Sequence, residues 1–144
     1  MGYKCAKKIM KKFLFMLVMM CCTLFAMAEE KTTSCKVGNS DTEYVSATAY
    51  VVSGGVGKCN SYITIANSSN KPLVSLYITV TAEKATQVDN GKYTWEEVTL
   101  YSGNKYFSPA VNPNMTTRLD AKSFNSARSL VRNINISIGN PSCK

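Results

Sequence analysis

The residues of this chain that could do chemistry are few, and their spacing excludes more than it offers. Its 144 residues include no histidine, which removes Ser-His-Asp and Cys-His nucleophilic machinery, imidazole metal ligation and the usual proton shuttle near neutral pH. Carboxylates could still do glycosidase work, which needs two of them converging across about 5–9.5 Å. Glu96 and Glu97 are adjacent in a segment of strand character, so they point to opposite faces and cannot meet on one substrate. Asp89-Asn90-Gly91 begins like a calcium loop, yet no repeated Asp/Asn spacing follows it. Gly54-Gly55-Val56-Gly57-Lys58 has the composition of a phosphate loop, but it separates two strands instead of opening a helix. The expectation is a non-catalytic protein with no cofactor and no metal site.

Side chains suited to binding are easier to find. Tyr50, Tyr62 and Tyr77 each fall on the polar side of an alternating segment, where an exposed Tyr/Thr/Ser face makes an adaptable recognition surface for sugars or proteins. Charge is also unevenly spread. Residues 29–104 carry 6 lysines against 8 acids, a net of −2, whereas residues 105–144 carry 6 basic residues against Asp120 alone, a net of +5. Arg118, Lys122, Arg128 and Arg132 are therefore candidates for meeting an anionic partner such as an acidic glycan, lipid head groups or an acidic protein.

The elements that must position these groups begin after residue 28. Residues 1–12 hold five lysines and no acid, and Phe13 to Ala28 is an uncharged run of 16 residues ending in Ala26-Met27-Ala28. A basic start, a short apolar run and a small-residue site make a cleavable secretory signal, 1–28. A stable membrane span would need about 20 apolar residues. Met10-Lys11-Lys12-Phe13 reads as a second possible start, and the bulky Met19 and Met20 before Cys21 and Cys22 disfavour lipid attachment there. Without the signal, the net charge of +8 falls to +3, so the basic character of the whole chain does not argue for nucleic acid. The expected location is secreted, periplasmic or cell-surface.

Residues 29–144 read as one β-rich domain. Tyr44–Val52, Cys59–Asn67 and Leu73–Ala82 alternate with period 2, the third placing Val74, Leu76, Ile78, Val80 and Ala82 opposite Ser75, Tyr77, Thr79 and Thr81. Asp89-Asn90-Gly91 predicts a hairpin turn, because Asn and Gly tolerate positive φ. Lys92–Tyr101 follows as a strand, Ser102-Gly103-Asn104-Lys105 as a turn, and Pro109 and Pro113 confine the next piece to short or edge strands around Tyr106-Phe107 and Thr116–Leu119. Ala121–Arg128 has room for one helical turn, and Leu130–Ile138 is a last strand. About seven short strands with frequent turn signals predict an all-β fold, an antiparallel β-sandwich or a small barrel, of which the sandwich is favoured. A meander of the first three alternating segments that pairs Ala49 with Ile63 and Ile65 with Val74 lines up Tyr50, Tyr62 and Tyr77 in one row.

Two stretches carry a resemblance. Ile63-Thr64-Ile65-Ala66-Asn67-Ser68-Ser69-Asn70-Lys71-Pro72-Leu73-Val74 is similar to a hairpin of bacterial Ig-like modules of the FxLyD type. Val111-Asn112-Pro113-Asn114-Met115-Thr116-Thr117 resembles the proline-bearing bend of those modules. The Phe-x-Leu-Tyr-Asp signature itself is absent. The resemblance implies an Ig-like antiparallel β-sandwich and an extracytoplasmic binding or structural module.

Cys35, Cys59 and Cys143 remain after the signal, and an oxidising compartment would pair two of them. If Cys35 begins a first strand antiparallel to Tyr44–Val52, it shares an end of the domain with Cys59, which favours Cys35–Cys59; the alternative is Cys35–Cys143. The expected function is a non-catalytic binding or structural module facing a protein or glycan surface. The alternative is a small secreted effector or toxin acting on membranes or envelopes through the basic C-terminal region.

Overall fold

The structure, a computed structural model, describes residues 29–144. The segment expected to be a signal, residues 1–28, with its expected cleavage site, Met10, Cys21 and Cys22, lies outside the described residues. Seven strands follow one another: β1 (Glu29–Lys36), β2 (Tyr44–Ser53), β3 (Lys58–Ser68), β4 (Leu73–Asp89), β5 (Lys92–Val111), β6 (Thr116–Asn125) and β7 (Val131–Cys143). They form two wholly antiparallel sheets, one of order β1-β2-β3-β6 and one of order β5-β4-β7. The fold is the expected all-β sandwich.

Alternation explains the layers. On β2 the buried residues are Val45, Ala47, Ala49 and Val51, and on β3 Cys59, Ser61, Ile63, Ile65 and Asn67. Each inward row meets Leu73, Leu76, Ile78, Val80, Ala82, Val98 and Leu100 from the second sheet, and Phe107, Val111, Phe124 and Ile134 close the core. A strand with one buried face cannot slip by a single residue without turning that face to water, so the register is fixed. β2 and β3 accordingly pair Ala49 with Ile63 and Tyr50 with Tyr62, as the pattern predicts.

Four expectations change. The segment from β3 to β4 is a crossover between sheets, not a hairpin, so Ile65 pairs with Ala47 and Thr117 instead of Val74. A register shift between Leu73 and Ser75 resets the phase of β4, burying Leu73 completely and leaving Val74 half-buried. Ser102–Lys105 is no turn: β5 runs unbroken for 20 residues, with Gly103 at φ 143° opposite Ile78. Lastly, Cys35 sits near the end of β1, not its start, and faces Val45, while Cys59 faces Ser53 at the far end of β2. Eight residues of strand separate those positions, about 26 Å at ~3.3 Å per residue, far beyond the ~7 Å that a disulfide spans between Cα atoms. The Cys35–Cys59 bridge is excluded, and the three cysteines among the described residues are free thiols.

Buried polar side chains tie the two ends. At one end Asn67, 1% exposed, donates from Nδ2 to the carbonyls of Lys71 and Val111, both at 2.8 Å, and accepts from the Ser69 amide and hydroxyl. The Asn67 amide also donates to Met115 O, and its carbonyl accepts from Asn114 N. Residues 63–74 and 111–117 are therefore bound to each other. At the other end Ser129 Oγ donates to the carbonyls of Gly55 (2.7 Å) and Lys58 (3.0 Å), Cys59 Sγ donates to Ser129 O, and Ser126 Oγ links Ala85 N with Leu130 O.

Candidate binding surface

The site is built from the outward residues of the first sheet and from the margin where the sheets part. On β2 and β3 the short Gly54–Gly57 connection holds the strands in register, with Gly55 at φ 121° and Gly57 at φ 73°, conformations that side chains other than glycine rarely take. That register sets Tyr50 beside Tyr62, and their rings stack at 4.8 Å between centroids and 14° between planes. β6 flanks β3 on its other side and brings the Arg118 guanidinium to 3.8 Å from the Tyr62 centroid. Tyr62 thus has one face against Tyr50 and the other against a cation, which its ring quadrupole attracts. Arg118 Nε also donates to Asp120 Oδ1 at 3.0 Å, an exposed pair of small energetic weight. Thr32 and Thr48 bond through their hydroxyls at 2.9 Å one row away.

Arg118 has a second neighbourhood. The strand order leaves β6 as one edge of the first sheet and β5 as one edge of the second. Between them runs an open cleft of about 570 Å³, lined by Lys105–Asn112 on one side and Met115–Asp120 on the other. Tyr106 and Met115, 69% and 57% exposed, stand at its rim, and Phe107 forms part of its floor. The opposite flank differs: there the edges β1 and β7 pack against each other.

Other candidates lie elsewhere. Tyr77 is on β4, between Asn104 and Gly139 on the outer face of the second sheet, so the row of three tyrosines is a pair. A strand's alternation reports which face is buried but not which sheet the strand joins. The basic residues do not gather on one face either. Arg118 and Lys122 belong to β6, Arg128 sits in a single 3₁₀ turn (Ala127–Ser129), and Arg132 lies on the second sheet. Arg132 is engaged, with its guanidinium 4.2 Å from the Trp95 centroid and Nε 2.6 Å from Glu83 Oε2. The hydrogen bond from Arg132, and a second from Asn133 at 2.9 Å, hold the Glu83 carboxyl below the usual carboxylate range. Sequence reasoning missed the cleft, because nothing in the alternation shows that β5 and β6 are edges. The closely spaced Pro109 and Pro113 were its one signal.

Among the described residues there is no cluster of three or more His, Cys, Asp or Glu side chains placed to hold a metal. No helix among them is long and apolar enough to cross a membrane. No family model and no curated protein matches the chain. The chain is similar to the trimeric lipoprotein SadB of Salmonella enterica at 12% identity and a TM-score of 0.38, over 98% of this chain and 75% of that one. The X-ray structure of the Northeast Structural Genomics Consortium target SoR45 is similar at 13% identity and a TM-score of 0.26, over 83% and 86%. Likeness of this degree assigns no ligand.

Proposed function

We propose that this chain is an exported, non-catalytic binding module that takes an extended segment of a partner protein in the β5–β6 cleft. The observation that carries the reading is Arg118, which both stacks on Tyr62 and lines the cleft, so that the tyrosine platform and the cleft share one wall. An edge strand offers a row of backbone N–H and C=O groups with no partner on its outer side. An added peptide strand satisfies them, with pockets for alternate side chains supplying selectivity. Two such edges border this cleft, and tyrosine and methionine at its rim are residue types enriched at protein interfaces. Sugar stacking fits the platform less well, since both faces of Tyr62 are covered. Lys105 and Arg118 favour an acidic residue in the partner segment.

Export rests on the composition of residues 1–28, and the secreted protein is expected to begin at Glu29 by mass spectrometry. Recognition is tested by peptide-display selection on the immobilised protein, followed by hydrogen exchange with an enriched synthetic peptide. Amides of residues 105–111 or 116–122 should gain protection, and Arg118→Ala or Tyr106→Ala should weaken binding at least tenfold without lowering the unfolding midpoint. Binding on a glycan array with no peptide enriched would move the reading to a carbohydrate. Protection confined to other strands would remove the cleft from it.

A further inference from the structure

Cys35 and Cys143 terminate the two strands that pack together on the closed flank. Cys35 is the penultimate residue of β1 and Cys143 the last of β7, and both strands end at the Asn67 end of the sandwich. Cys35 faces Val45, and Val45 faces Asn67. Asn67 Oδ1 accepts from the Ser69 hydroxyl, whose oxygen lies 3.7 Å from Cys143 Sγ. Both cysteines pack against the core from its margin and are half-buried, so a small oxidant can reach them. Burial and, after it, the charge of the Cys143 thiolate push the Cys35 thiol up, and β1 and β7 pack against each other along this flank.

We propose that Cys35 and Cys143 are a disulfide-forming pair that ties β1 to β7 when the protein meets an oxidising compartment. The reaction is thiol–disulfide exchange with a low-molecular-weight or oxidoreductase disulfide. One cysteine thiolate attacks a sulfur of that disulfide, forming a mixed disulfide and releasing one thiol. The second cysteine thiolate then attacks the protein sulfur of the mixed disulfide, forming the Cys35–Cys143 bond and expelling a second thiol. The protein loses two protons and two electrons, and the reagent disulfide is reduced to two thiols. Cys59 takes no part, being 1% exposed at the opposite end of β3 with its thiol donated to Ser129 O. The bond would close a loop of nearly the whole domain, the case in which a crosslink most restricts the unfolded chain. This pairing is independent of what the cleft binds.

The test uses the protein purified after export, without residues 1–28, held in oxidised glutathione, alkylated and mapped without reduction. The expected result is one crosslinked peptide joining Cys35 to Cys143, with Cys59 recovered as a free thiol once the chain is unfolded. The unfolding midpoint should rise by about 10 °C over the reduced protein, and Cys35→Ser or Cys143→Ser should abolish that rise. Recovery of Cys35 and Cys143 as alkylated thiols or stable glutathione adducts, or joined to any other cysteine, overturns the proposal. The mapping needs no variant, so a variant that fails to fold does not affect it.

Discussion

The side-chain amide of Asn67 donates to the carbonyl of Val111 at 2.8 Å, joining the end of a strand in one sheet to the end of a strand in the other. The bond is wholly buried, so its loss cannot be made good by water. Asn67→Ala should lower stability by about 3 kcal/mol in urea titration, because two carbonyls and the Ser69 hydroxyl lose a partner together. Asn67→Asp should be no milder, since one donor pair becomes a buried negative charge facing carbonyl oxygens. A loss below about 1 kcal/mol in both would show that the two crossovers hold together without this side chain.

Ile78 lies at the centre of the second sheet, fully buried between Gly103 and Ile138. Glycine on one side leaves no side chain to move into a vacated space. Ile78→Ala should therefore fall near the costly end of such truncations, about 4 kcal/mol. Ile78→Asp should prevent folding, read as loss of the strand signal in circular dichroism.

Arg118 separates binding from stability. Its contacts are exposed, so Arg118→Ala should change the unfolding free energy by less than about 1 kcal/mol. Arg118→Lys keeps the charge but lacks the planar group that lies on Tyr62, and should not restore partner affinity. A variant that loses stability and binding in parallel would make Arg118 structural.

Glu83 gives acid sensitivity a sign. Its folded-state carboxyl is held below the ordinary value of 4.5 by hydrogen bonds from Arg132 and Asn133. Its stabilising contribution is present above that ordinary value and is lost as pH falls through the lower folded-state value. Glu83→Gln should lower stability near neutrality, where the contribution is fully present, and flatten the stability–pH curve below about pH 4.5, where the unsubstituted protein loses it anyway. An unchanged acid limb would mean the pair does not hold in solution.

Cys59 should resist thiol reagents. Its burial raises the thiol's proton affinity and denies access. Labelling by a maleimide should be at least a hundredfold slower than after unfolding in urea, when followed by mass spectrometry. Fast labelling would place the Ser126–Leu130 segment in frequent local opening.

Much of this architecture was legible because the inward rows are simple. Val45, Ala47, Ala49 and Val51 against Ile63 and Ile65 admit one register across a short glycine connection, and the Tyr50–Tyr62 pair follows from it. Asn90 (φ 29°) and Gly91 (φ 83°) make the expected two-residue turn between Asp89 and Lys92. Sheet membership was not legible, since a strand that crosses over keeps the alternation of one that turns back; Tyr77 and the Ile65–Val74 pairing were misplaced for that reason. The disulfide reading failed on a smaller point. The first strand was expected to begin at Cys35, whereas it begins at Glu29, since an exposed edge strand tolerates charge, and that start moves Cys35 to the other end.

The direction of the edge strands also bears on mechanical load. Glu29 starts β1 at the Cys59 end, whereas Cys143 closes β7 at the Asn67 end. Tension between a partner on one terminus and an attachment on the other would run along the strands. Antiparallel hydrogen bonds lie across that axis, so the β1–β2 ladder from Glu29–Val51 to Lys36–Tyr44 would resist in shear, all its rungs strained at once, instead of unzipping one rung at a time.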